Sequence, residues 1–340
     1  SWLFHHVLEN FEDGSIASIK STGAGIAEHA EDTYVYTWAG ITNGMSHRPA
    51  SVVIDNETVN IGPRDKFAPD NRAEFEHLEL SDGTTIETYA NDDGAHRLLR
   101  EAEALNIDTI NIDLAATLTG RHQGHSNLWD PMIRILDLLN DQDTLPENAS
   151  MKDLFIARIK AIDEISPVFA LEQGSQELQL IAMHIMEHGD IDNETLTDMG
   201  DLGQALAQNN FLSEAPIATR HGPQTPKSMV EEHLSRIYAP EDGKRDRSII
   251  HIEVSGVTAR GAKLTQKAEL NSFGDDTIKG LSSMQKTVAG SLTLSAMQVL
   301  DGKTEPGLHG AGHNIENGLE VLKAMQDSGA ITLELSNAVN

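Results

Sequence analysis

Two hydrophobic periods divide this chain. Before His125, short β-rich runs alternate with polar residues; after it, apolar residues recur every three to four positions. Ile16 and Ile19 lie between Asp13-Gly14 and Gly23-Ala24-Gly25, which predicts a strand over 14–22 closed by a glycine turn. Val52-Val53-Ile54, a turn at Asp55-Asn56-Glu57, then Val59 and Ile61 predict a hairpin over 51–61. Leu78-Glu79-Leu80 and residues 84–89 flank Ser81-Asp82-Gly83 as a second hairpin. A helix follows over 95–105, and Ile110, Ile112 and Leu114 alternate with Asn111 and Asp113 as a strand would.

In the second regime, Met132, Ile133, Ile135, Leu136, Leu138 and Leu139 mark one helix, and Leu154, Phe155, Ile159 and Ile162 another. The pattern continues over 178–186 and 196–206. Thr225-Pro226 opens a helix to about Tyr238, since Thr caps free N–H groups and Pro fits the first helical position. Residues 249–254 and 263–273 predict a third hairpin. A last helix over 282–300 stops at Asp301-Gly302, where glycine takes the left-handed cap. Hairpins separated by a block of helices predict an α+β fold, a mixed sheet covered by helices. The expected organisation is a sheet domain over 1–150 and 223–275, a helical subdomain over 151–222, and C-terminal helices over 276–340.

Composition narrows the function. With 53 acidic against 25 basic residues and a formal charge of −28, the 340-residue chain lacks the clustered cations that a phosphate backbone or an anionic membrane requires. Its densest basic stretch, Lys244-Arg245-Asp246-Arg247, is broken by an acid. The absence of cysteine removes disulfides, thiolate nucleophiles and cysteine zinc sites. No apolar run approaches the ~20 residues of a membrane span, and Ser1-Trp2-Leu3-Phe4 opens neither with Met nor with a signal pattern. The expectation is a cytoplasmic chain with sequence missing upstream.

Candidate motifs are few. Gly23-Ala24-Gly25-Ile26-Ala27-Glu28 has the start of a dinucleotide fingerprint, but its third glycine position is Glu28, whose carboxylate would repel a pyrophosphate. Histidine is abundant, with 15 copies, so pairs occur by coincidence. His184 with Glu187-His188 matches an inverted zinc-protease string, yet it sits on an apolar helix without an identifiable third ligand, so no metal is expected. Asp190-Ile191-Asp192-Asn193-Glu194 lacks the glycine of a calcium loop and reads as a helix cap. No G-x-S-x-G, P-loop or kinase signature is present.

Several segments, taken in order, match those of one known family. Val35-Tyr36-Thr37-Trp38-Ala39-Gly40 followed by Arg48-Pro49-Ala50 is similar to the family's aromatic-Ser-Trp segment and Asn-Pro-Ala strand entry. Tyr89-Ala90-Asn91-Asp92-Asp93-Gly94 resembles its Tyr-Pro-Asn-Arg-Asp-Ser loop, and Thr119-Gly120-Arg121-His122-Gln123-Gly124 its Thr-Leu-Arg-Tyr-x-Gly. Ser282-Ser283-Met284-Gln285-Lys286-Thr287-Val288 and Asp301-Gly302-Lys303 resemble its Ser-Ala-Met-Ala-Lys-Thr-Val helix and Asp-Gly-Lys end.

Together the segments resemble the substrate-binding, C-terminal part of the saccharopine dehydrogenase family, and the resemblance implies a mixed-sheet substrate domain with a helical insertion, whose Rossmann half lies before it and is absent here. It implies oxidoreductase chemistry in amino-acid and lysine metabolism: a secondary amine joining two amino acids exchanges hydride with NAD or NADP. Substrates with several carboxylates call for bidentate arginine. Arg121 is therefore the leading substrate-binding candidate, with Thr119, Gly120, Asn91, Asp92 and Trp38 beside it, and Lys286 aligns with a lysine on the cofactor side. Asp92 replaces the family's loop arginine, which puts saccharopine itself in question as the substrate. A non-catalytic binding or dimerisation module of the same fold is the alternative. Exposed hairpin edges predict a sheet-mediated homodimer.

Overall fold

A computed structural model describes residues 2–27, 49–62, 65–67, 77–90, 92–122, 148–160, 173–217, 225–237, 245–275, 281–303 and 315–339. The predicted helix around 132–139 lies outside them. The chain divides into two compact units, one comprising Ser1–Val35, Arg48–Gln123 and Pro240–Asn340, the other Tyr36–His47 and Gly124–Ala239.

The first unit is built on one mixed sheet. In chain order its strands are β1 Ser15–Ala27, β2 Ala50–Ile54, β3 Glu57–Ile61, β4 Leu78–Glu79, β5 Thr85–Ala90, β6 Leu114–Arg121, β7 Asp246–Val257, β8 Lys263–Phe273 and β9 Thr332–Val339. They lie in the order β3-β2-β6-β1-β7-β8-β9, with β5 also paired to the end of β6 and β4 to β5. β1 runs parallel to β6 and antiparallel to β7. The three predicted hairpins are present, as β2–β3, β4–β5 and β7–β8.

Alternation sorts the strands into two unlike faces. Ile19, Val53, Ala115, Ile252, Val254, Ala268 and Leu270 point to one side and form the main core. Helices α1 Trp2–Leu8, α2 Ala95–Glu103, α8 Ser283–Leu300 and α9 Ile315–Asp327 belong to that side. Phe4, Val7, Leu98, Val321 and Met325 supply their inward residues. None of this unit's described α-helices lies on the opposite face. There the β4–β5 hairpin brings Leu80 and Ile86 against Ala24, Ile26 and Ile249.

The second unit is helical, with α3 Met151–Lys160, α4 Gln173–His188, α5 Asn193–Asp198, α6 Asp201–Gln208 and α7 Pro226–Ile237. Phe155 meets Phe211 edge to face at 6.4 Å, and Phe211 meets His233 at 5.8 Å. His233 Nε2 lies 2.8 Å from the Asn209 carbonyl, and burial pushes its pKa down. The aspartate cap read from the sequence is observed, as Asp192 accepts from the Thr195 N–H at 2.8 Å and starts α5.

Local propensity lost to tertiary context at four places. The expected turn at Gly23-Ala24-Gly25 is strand, because β1 pairs with β6 and β7 on both edges up to Gly23 and Ala24 and with β7 to Ala27. The alternation at 110–114 is a turn preceding β6: Asp108 and Asn56 side chains accept the Ile110 and Ile112 N–H groups, and Ile110 is 76% exposed. The single helix expected over 196–206 is broken at Gly200, whose φ of 101° leaves the helical region. The C-terminal segment, expected to hold only helices, ends in β9, which pairs with β8 from Asn271↔Thr332 to Leu264↔Val339. The stop of α8 matches its sequence signal: Gly302 has φ +69°, and the N–H groups of Gly302 and Lys303 bond the carbonyls of Val299 and Gln298.

Close approach of α5 and α6 depends on Gly203, where an added Cβ would sit 1.8 Å from the Leu196 carbonyl oxygen. Gly203→Ala should therefore force these helices apart and cost about 1–3 kcal/mol, measured as a lower denaturation midpoint at unchanged slope.

Candidate functional site

The last residues of β6 carry three of the six sequence-predicted substrate residues, Thr119, Gly120 and Arg121. Alternation sends Thr117, Thr119 and Arg121 to the helix-covered face and Ala116, Leu118 and Gly120 to the other. Thr119 pairs with Gly23 of β1 and Tyr89 of β5; Gly120 pairs with Ala24 and Thr88. A Cβ on Gly120 would lie 2.6 Å from Ile86 Cδ1 and 2.8 Å from Ala24 Cβ, so this glycine is required by packing. Arg121 sits directly opposite Glu87, is 9% exposed, and donates from Nη1 to the Gly120 carbonyl at 2.8 Å.

Asp92 has a structural task in the same neighbourhood. Its Oδ1 accepts from the Gly94 N–H at 2.9 Å and from the Thr117 hydroxyl, while its carbonyl accepts from the Ser51 N–H at 3.0 Å. The carboxylate thus ties the start of α2 to β6, and its backbone ties the same point to β2. Asn91 and Trp38 lie outside the described residues.

Lys286 stands elsewhere. It belongs to the first turns of α8 and lines a cavity of about 350 Å³ with Arg245, Asn271, Phe273, Asp275 and Ala330. β8, which supplies Asn271 and Phe273, is three strands from β6, on the order of 14 Å at ordinary strand spacing. Lys286 Nζ is 3.6 Å from Asp275 Oδ2, and the Arg245 guanidinium lies 5.6 Å from the Phe273 ring centre. The cavity combines cations, an acid and an aromatic wall, a set suited to a small charged ligand.

The described residues do not fit a dinucleotide cradle. Gly23 and Gly25 are interior to β1, where a pyrophosphate would need a strand-to-helix turn. The N-terminus of α8 is also taken. Ser282 and Gln285 close a reciprocal capping box, and Asp246 accepts from the Ser283 N–H at 2.9 Å and from its hydroxyl at 2.5 Å.

Sequence reasoning missed a buried polar network on the helix-free face. Arg247 donates to Asp82 at 2.6 Å and to Asn271 at 2.8 Å, and lies 3.4 Å from Glu269. Glu269, only 4% exposed, also accepts from the Ser81 N–H at 2.9 Å, the Ser81 hydroxyl at 2.7 Å and Asn271 at 2.8 Å. His251 Nδ1 stands 3.7 Å from its other oxygen. Burial alone would raise the Glu269 pKa, but bonds from His251, Asn271 and Ser81 outweigh it and lower the value from 4.5 to about 2. The signal was present: Arg247, His251 and Glu253 alternate on β7, as do Lys267, Glu269 and Asn271 on β8. Alternating polar residues ordinarily mark a solvated face.

The H-x-x-E-H string falls on the outer side of α4. The rings of His184 and His188 are 4.4 Å apart, and His188 Nε2 is 3.8 Å from Glu187. No trio of His, Asp and Glu converges as a metal site among the described residues. No described helix is long and apolar enough to cross a membrane.

A mixed sheet with helices on one face and a helical unit inserted between β6 and β7 defines an α+β domain of the kind the sequence segments resemble. The family model of the saccharopine dehydrogenase C-terminal domain matches residues 1–330, and the chain belongs to that family. No curated protein is significantly similar in sequence. Among solved structures, the fold is similar to that of apo histidine-tagged saccharopine dehydrogenase (L-Glu forming) from Saccharomyces cerevisiae. That similarity has a TM-score of 0.70 at 17% identity, over 98% of this chain and 71% of that one.

The depressed Glu269 pKa carries a sign. A carboxyl whose folded value lies below its unfolded 4.5 adds stability that is complete above that pH and lost as pH falls toward about 2. Glu269→Gln should cost about 2–3 kcal/mol at neutral pH by leaving Arg247 short of a charged partner. The deficit relative to the parent should shrink between pH 4.5 and 2, as denaturant melts at both ends would record.

Proposed function

We propose that this chain is the substrate-binding part of a saccharopine dehydrogenase-like oxidoreductase. It acts on the secondary C–N bond of an amino-acid adduct, and the NAD or NADP is held by a domain preceding it. The family match over residues 1–330 carries this reading. Arg121 is the residue proposed to take the substrate carboxylate: a guanidinium at the end of a central strand offers the forked N–H donors that pair bidentately with one. Thr119 lies on the same face of β6 and Gly120 keeps the strand close to its neighbours. Lys286, in its separate cavity, serves the side on which the preceding domain would carry the nicotinamide.

A second reading, a binding or dimerisation module without catalysis, is favoured by Asp92. Where the family has a loop arginine, this chain has a carboxylate committed to Gly94 and Thr117. Calorimetry separates the two. Saccharopine, lysine and glutamate should be titrated into the chain and into Arg121→Ala, with binding expected to weaken by at least about 1.5 kcal/mol in the variant. Failure of all three to bind the parent would favour the module.

A further inference from the structure

The helix-free face holds a second, separate cavity. Lys20 and Thr22 of β1, His251 and Glu253 of β7, Leu118 of β6 and Thr88 of β5 line about 50 Å³ together with His77 and Leu78. Strand register makes this grouping: Lys20 is opposite Glu253, and Thr22 lies between His251 and Leu118. Arg121 points to the other side of the sheet, so this space is not part of its surroundings.

His251 is the unusual member. It is 5% exposed, and its Nε2 has no hydrogen-bond partner among the described residues. Its nearest acid is Glu269, 3.7 Å from Nδ1. A carboxylate beside Nδ1 favours the proton there, which leaves a lone pair on Nε2. A buried ring nitrogen without a partner is costly, and a ligand that supplies the missing bond removes the cost.

The rest of the lining carries both charges. Lys20 Nζ lies 3.4 Å from Glu253 Oε1, and Lys267 Nζ 2.8 Å from Glu253 Oε2. Burial works to raise the Glu253 pKa, but the two lysines lower it overall, so the carboxylate is charged at neutral pH. The space is several times the roughly 10–15 Å³ that a single water needs on this measure and is too small for a whole long-chain metabolite. It suits a head group bearing an ammonium and a carboxylate on one carbon.

We propose that this cavity binds the head group of a free α-amino acid. The ammonium donates to His251 Nε2 and is balanced by Glu253, and the carboxylate faces Lys20. The amino-acid side chain leaves past His77. The site lies apart from Arg121 and does not rest on the oxidoreductase reading.

Glycine, the smallest complete head group, is the probe. With ¹⁵N-histidine-labelled chain, the signal that His251→Gln removes should shift saturably with glycine, at an affinity on the order of 1 mM. Acetate and methylamine, each half of the head group, should bind at least about tenfold more weakly, a difference near 1.4 kcal/mol. Lys20→Met at the cavity mouth should weaken glycine by a similar factor even if the His251 variant fails to fold, in which case the signal is assigned by its response to Glu253→Gln. Arg121→Ala should leave glycine binding unchanged. No shift means that the cavity holds water only and overturns the proposal. Acetate or methylamine binding as tightly as glycine, or glycine binding untouched by Lys20→Met, overturns it as well.

Discussion

β1 is hydrogen-bonded along both edges, parallel to β6 and antiparallel to β7, and the larger unit is organised about that double pairing. A parallel neighbour cannot be reached by a hairpin, so the chain must travel through β2–β5 and α2 before β6 can lie beside β1. An antiparallel neighbour on the other edge comes from beyond the helical unit. The strand suits this position because its residues are small. Ala24 lets Gly120 approach closely. The register of β1 in turn determines which side chains of β6, β7 and β8 share a face.

Those faces use different physics. Under the helices, Leu, Ile, Val and Phe residues exclude water, and stability there comes from buried apolar area. On the other side, charged residues are paired: buried Arg247 with Asn271, buried Glu269 and exposed Asp82, and half-buried Glu253 with Lys20 and Lys267. In a chain of net charge −28, cations spent inside such networks are few and specifically placed. Each buried acid is tolerated because bonds outweigh the cost of desolvation, as the lowered Glu269 pKa records. A network of this kind is sensitive to the loss of any one member.

Functional candidates follow the same division. Arg121 and Thr119 lie on the helix-covered face at the end of β6, Lys286 lies near the ends of β8 and β9, and His251 faces the opposite side. Asp92, which the resemblance marks as a departure from the family, has become a bracket between α2, β2 and β6. Its carboxylate takes internal donors, the Gly94 N–H and the Thr117 hydroxyl.

The α+β class, the three hairpins, the start and stop of α8 and the capping role of Asp192 were legible in the chain because each depends on neighbours in sequence: alternation, turn residues, a serine cap, a left-handed glycine. The sequence segments also carried the family resemblance that places Arg121 and Thr119 together. Only the tertiary structure decided that Gly23 and Gly25 are strand, that Ile110 is exposed in a turn, that the last residues form β9, and that Arg247 and His251 of β7 and Glu269 and Asn271 of β8 are buried. The strand at Gly23–Gly25, β9 and the buried polar positions each depend on partners distant in sequence, and pairing across the sheet overrides local propensity there; the turn at Ile110 is held by Asp108 close by and by the distant Asn56.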